Sequence, residues 1–319
     1  MKAEFSEFTY GFSLVSELSG VLSCRAVPIF PSLIEEGRDG GGYDVRMEAG
    51  AIPFYLQFKL SEHLKTNRAK EASHISGRIQ APYRRFHITS TARSNQHAML
   101  VGLGAVQEHV YYVAPNFYQL AVLSEQWRSG YVADASVFVR PSDIGSILDD
   151  EKHAVCFSNR TLRDRQCYLF SDPKPLKPFG VEELKDLIAT ELDAPGPPLK
   201  ELLPIWSQNL DKAALDGQRI HREQLAAIEA AREKRWLARH RQAADEVERR
   251  ELRADFPRTS GLVEELLEEP ISLSRTRVEN PPRIQRPIDP AFQKLADLGR
   301  RASSEFYSQL FVLQRTINN

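Results

Sequence analysis

Three side chains in two short stretches carry the chemistry of this chain. Asp44 lies in Gly42-Tyr43-Asp44-Val45, and Gln57 and Lys59 lie in Phe54-Tyr55-Leu56-Gln57-Phe58-Lys59-Leu60. A carboxylate, an amide and an ammonium held together suit a metal-and-phosphate site. Metal-assisted phosphodiester hydrolysis needs hard oxygen ligands, an oriented water and positive charge near the scissile phosphate. Asp44 can supply a carboxylate and the Phe58 carbonyl a second oxygen. Gln57 can offer its own carbonyl oxygen or orient a water, and Lys59 can hold the attacking water and stabilise the developing charge. Glu17, beside the apolar face of a first helix, is the candidate outer ligand; Glu35 and Glu36 compete for that role.

These groups need elements to position them. Alternation over 54–60 predicts a strand with Phe54, Leu56, Phe58 and Leu60 on one face and Tyr55, Gln57, Lys59 and Ser61 on the other. A second strand over 43–48 is expected to pair with it through a hairpin at Ala49-Gly50. Phe12, Val15, Leu18 and Leu22 predict a helix over 9–22, followed by a short strand over 26–30. Residues 94–106 read as a helix whose Gly102 and Gly104 imply close packing. Strands are expected at 109–113, 135–140, 155–157 and 167–170.

A helix bearing a glutamate, an aspartate on one strand and Gln-x-Lys on the next resemble the PD-(D/E)xK nuclease superfamily. The Gln57-Phe58-Lys59 form is similar to its Mrr-like branch, over about residues 9–120. The resemblance implies a restriction-endonuclease-like fold, a mixed central sheet flanked by helices. It further implies a metal-dependent nuclease directed at DNA, of restriction or phage-defence type, using Mg2+ or Mn2+. Asp44, Gln57, Lys59 and Glu17 would be catalytic, and Asp44, Phe58 and Glu17 would hold the metal. No proline precedes Asp44, although one is common in the superfamily. With glutamine replacing the second carboxylate, metal binding leans on Asp44 and a helix glutamate.

Between His63 and Arg93 seven basic residues face one acid, in a chain whose net charge is −1. Lys65, Arg68, Lys70, Arg78, Arg84 and Arg85, with Tyr83 and Phe86 interleaved, read as a basic loop able to neutralise phosphates without reading sequence. The histidines show no zinc-ligand spacing, and the three cysteines, odd in number, read as reduced thiols.

The 319 residues, 42% of them hydrophobic, can build a substantial core. Glu4 and Glu7 among aromatics do not make a signal peptide, and the best apolar run, 98–106, is too short to span a bilayer. A cytoplasmic protein without membrane contact is expected. Proline-rich punctuation at 172–175 and 194–198 predicts three parts. These are an α/β domain over 1–172, a linker with a short helix over 173–200, and a charged α-helical C-terminal region over 201–319. The last part is expected to hold a long helix over 203–254, an extended arm over 258–288 and a final helix from Asp289-Pro290 to about Thr316. Its partial apolar stripe suggests a protein partner or a homodimer. The competing reading is therefore a catalytically inactive nuclease-like scaffold acting as a protein-interaction module through these helices.

Overall fold

The computed structural model describes residues 1–21, 24–29, 46–67, 79–159, 165–170, 174–239 and 290–315. Asp44, Glu35, Glu36, Arg68, Lys70 and Arg78 lie outside them, as does the expected arm. The described chain is a mixed α/β structure with two five-stranded sheets.

The first sheet has the order β1 (Cys24–Pro28), β10 (Gln309–Arg315), β2 (Ile52–Phe58), β5 (Val110–Pro115), β6 (Ser136–Val139). Only β2 and β5 run parallel, with Gln57 opposite Tyr112; the other neighbours are antiparallel. A parallel pair needs a long crossover. Here it contains β3 (Glu62–Leu64), β4 (Tyr83–His87) and helix α2 (Gln96–Gly104). The two short strands join β7 (Ala154–Asn159), β8 (Arg165–Phe170) and β9 (Lys174–Leu176) in the antiparallel second sheet.

Both faces of the first sheet are covered, and the period-two pattern of β2 divides its side chains between two cores. Phe54 and Leu56 are buried with Tyr10, Leu14 and Leu18 of α1 (Glu7–Val21), Leu123 of α3 (Leu120–Ser129) and Leu184 and Ile188 of α5 (Val181–Asp193), with Phe58 and Leu60 packed against them. Tyr55 is buried on the opposite face. It joins Leu100 and Leu103 of α2, Ile144 of the short α4 (Pro141–Ile144), Leu203 and Trp206 of α6 (Leu199–Arg239), and Leu295 and Leu298 of α7 (Pro290–Ser304). Phe86, Val155, Phe157 and Leu169 of the second sheet complete this core. It therefore runs across residues 172 and 201 alike.

Two expectations are corrected. The final segment is not one helix to Thr316: α7 stops at Ser304 and the chain enters the first sheet as β10. Leu310, Phe311, Val312 and Leu313 are all at most 2% exposed, a burial on both faces that only a central strand gives this run. The C-terminal region is accordingly not purely helical. Nor do residues 46–48, the described part of the expected strand over 43–48, pair with 54–60 in a hairpin. Both ladders of β2 are occupied, by β10 and β5, and residues 47–49 form a turn. The Gln314 side chain fixes the approach to this turn by accepting from Arg46 N and donating to Arg46 O.

The long α6 docks inside the chain. Leu199, Leu203, Trp206, Leu210, Ala213 and Ile228 are buried. Of the stripe that suggested a partner, Leu210 and Ile228 are covered by the protein itself, Ile220, Leu225, Trp236 and Leu237 are half-buried, and Leu215 is exposed. Its crossing with α2 is backbone against backbone. A Cβ on Gly102 would lie 2.7 Å from Ala213 O, and one on Gly217 would lie 2.8 Å from Met99 Cα. Gly217→Val is expected to cost about 3 kcal/mol through overpacking, read as a lower urea midpoint; an unchanged midpoint would show that the helices can separate freely.

Candidate functional site

The carboxyl end of β2 carries Gln57 and Lys59, and Gln96 links them, accepting from Lys59 and lining one cleft with Gln57. Lys59 follows the last residue of the strand, and its backbone N–H continues the ladder to Val113 O at 2.9 Å. Its ammonium donates to Gln96 Oε1 at 2.8 Å and lies 5.7 Å from the centre of the Tyr112 ring. Burial pushes the Lys59 pKa down from its ordinary value, and the negative charge of Glu7 pulls it back up.

Gln57 donates from Nε2 to the Phe58 carbonyl at 3.1 Å, while its buried Oε1 has no hydrogen-bond partner. A buried acceptor left unpaired is costly, which marks Oε1 as an atom waiting for a donor or a cation. The Phe58 carbonyl, expected to hold a metal, accepts the neighbouring amide. The Phe58 ring packs at 6.1 Å, edge to face, on Tyr10 and against Gly11, where a Cβ would come within 3.2 Å of it.

Glu17 does not join this group. Its carboxylate accepts Val132 N–H at 2.6 Å and Ala133 N–H at 2.9 Å, tying α1 to the turn before β6. Burial raises its pKa, and the two N–H bonds oppose that rise. The helix glutamate at the site is Glu7, in the first turn of α1, which lines a cleft of about 980 Å³ together with Gln57, Phe58 and Gln96. Sequence reasoning missed Glu7 and Gln96. Both lie at helix starts, and only the packing of α1 and α2 against the end of β2 selects them.

Beneath Lys59 runs a buried polar chain. The Tyr112 hydroxyl lies 3.1 Å from His97 Nδ1, and His97 Nε2 lies 2.8 Å from the carbonyl of Gly145. These partners fit a neutral imidazole that donates through Nε2 and accepts at Nδ1. Burial pushes the His97 pKa from 6.5 down to about 4, and the charge of Lys59 contributes to the shift. The folded value is the lower one, so on acidification the unfolded state takes up the proton first. The stability His97 contributes is intact above pH 6.5 and lost as pH falls toward 4. Urea midpoints should fall across that window in the wild type and fall less in His97→Gln; equal slopes would refute the assignment.

The basic segment is only partly a loop. Arg84 and Arg85 lie on β4, where Arg85 clasps Glu62 through Nε at 2.9 Å and Nη2 at 2.8 Å. Arg84 contacts His63 Nδ1 and lies 5.8 Å from the Tyr118 ring centre. Lys65 is exposed just beyond β3. Arg85 is thus engaged by an acid of the neighbouring strand.

Magnesium is commonly held by one or two carboxylates while keeping several of its waters. Among the described residues no group of three His, Cys, Asp or Glu gathers, and the cleft offers one carboxylate, Glu7, and the unpartnered oxygen of Gln57. Both are hard oxygen donors, the class a magnesium ion takes, and the set does not make a closed zinc site. No described helix is long and apolar enough to cross a membrane. No family model, curated protein or solved structure matches the chain.

Proposed function

We propose that this chain is a metal-dependent nuclease that hydrolyses phosphodiester bonds in nucleic acid, DNA in the first instance. One observation carries the reading. A lysine ammonium, partly desolvated and fixed by Gln96, stands at the end of β2, and Gln96 lines one cleft with the unpartnered amide oxygen of Gln57 and a carboxylate, Glu7. In this reading Glu7 and Gln57 Oε1 hold a magnesium or manganese ion, with Asp44 as the further carboxylate proposed from the sequence. The ion supplies Lewis acidity when bound. Lys59 places positive charge where negative charge grows on phosphate, and its low-dielectric setting strengthens that effect. Gln96 keeps the ammonium from swinging into solvent, and the Tyr112 ring backs it. Glu17 has a structural role here. A restriction or phage-defence setting rests on the superfamily resemblance alone.

The test mixes purified protein with plasmid DNA, single-stranded DNA and RNA in magnesium, manganese or EDTA, beside Asp44→Ala and Lys59→Ala. Metal-dependent cleavage lost in both variants supports the reading and names the substrate. A folded wild type that cuts nothing and takes up no manganese by calorimetry overturns it.

A further inference from the structure

The cleft at the end of β2 holds groups that hydrolysis alone does not need. Three aromatic side chains line it and remain in water: Phe8 at 80% exposure, Phe12 at 62% and Tyr307 at 42%. Phe8 and Phe12 are one helical turn apart on α1, so their Cα atoms are offset by about 6 Å along the axis. That is close to the space a flat base occupies between two stacking neighbours, since bases repeat at about 3.4 Å.

Tyr307 belongs to the segment between α7 and β10. Its φ of 53° is left-handed, which a bulky residue adopts only where the surroundings enforce it. Its hydroxyl donates to Asn95 Oδ1 at 2.9 Å, beside the start of α2. The ring is therefore held in place at the cleft. Backbone strain that fixes an exposed aromatic side chain at a cleft is the kind retained for ligand contact.

The chemistry between the aromatics is amide-rich, with one carboxylate. Gln57 and Gln96 line the cleft, Gln57 with its unpartnered carbonyl oxygen, and Glu7 is the one charged residue among the described lining residues. Aromatic faces beside amide groups suit a flat heterocycle. In a duplex those faces are hidden in the stack; only unpaired strands present them.

We propose that this cleft receives unstacked bases, so that single-stranded nucleic acid is the substrate class of the site; this rests on the hydrolytic reading above. Phosphates lie toward Lys59, and bases stack on Phe8, Phe12 and Tyr307.

The experiment measures fluorescence anisotropy of the full chain in EDTA, where nothing is cut, with a labelled oligothymidine and a duplex of equal length. The wild type is expected to bind the single strand more tightly. Phe8→Ala/Phe12→Ala should weaken single-strand binding roughly tenfold or more, as loss of base stacking does, with duplex binding unchanged and circular dichroism unaltered. Phe12→Trp, which keeps a stacking face, should retain it. Equal affinity for both substrates, or a double variant that binds like the wild type, overturns the assignment. So does a double variant that converts a sedimenting dimer to monomer, which would give the face to a second copy of the chain. A wild type that prefers single strands in EDTA yet cuts nothing with magnesium or manganese overturns hydrolysis alone. One that cuts duplex and shows no single-strand preference overturns the cleft assignment alone.

Discussion

Lys59→Ala is expected to lower metal-dependent cleavage by at least ~10²-fold, the usual scale for removing one preorganised charge-stabilising donor, while leaving the fold intact. The ammonium lies beyond the last ladder residue of β2 and its hydrogen bond goes to a single side chain, Gln96. Removing a partly desolvated charge relieves an unfavourable burial, so the urea midpoint should hold or rise. The same burial sets the sign of the pH dependence. With the Lys59 pKa below its ordinary value, the charged form disappears at lower pH than for a free lysine, and the alkaline limb of the rate profile moves down with it. Gln96→Leu removes an acceptor that favours the charged form and should move the limb lower still; Gln96→Glu should move it up. Wild-type cleavage by Lys59→Ala would place the chemistry elsewhere.

Val312→Asp is expected to prevent stable folding. Val312 is fully buried in β10 opposite Pro53, with β1 on the other side. An unpaired carboxylate there costs at least about 4 kcal/mol, either as a buried charge or through forced protonation. A domain stable by about 5–15 kcal/mol loses much of its margin. Far-UV circular dichroism and limited proteolysis read the outcome. A cooperative, wild-type-like transition would show that β10 is dispensable to the first sheet. A matched change at an exposed position, Leu215→Asp on α6, should leave the transition within about 0.5 kcal/mol of wild type.

The contrast between these positions bears on what the sequence makes legible. The strand that carries Gln57 and leads into Lys59 could be read because its alternation divides a period-two pattern between two cores. β10 could not be read. Leu310-Phe311-Val312-Leu313 follows a helical segment with no glycine or proline between them, and the break is made by Tyr307 in a left-handed conformation that usually announces itself as glycine. β4 was hidden because Arg84 and Arg85 sit between Tyr83 and Phe86, giving a strand the charge of a loop. Glu7 and Glu17 share one helix. Which of them meets the end of β2 depends on which end of α1 crosses it, a tertiary fact that composition does not carry. The pairing of β2 with β10 is equally non-local, and sequence patterns record local periodicity better than distant partners.

The place of β10 has a consequence for synthesis. β2 is complete at Phe58, but its antiparallel neighbour begins at Gln309, about 250 residues later. At translation rates of about 5–20 residues per second, the nascent strand that carries Gln57 and Lys59 waits on the order of 10–50 s for that neighbour. Throughout that time its edge is open to chaperones, to premature pairing and to proteases. A product broken off by a damaged message before β10 leaves the ribosome without the strand that completes the sheet under the cleft. On the hydrolytic reading, the cleft would then gain its scaffold only on chains whose message had been read through to that strand.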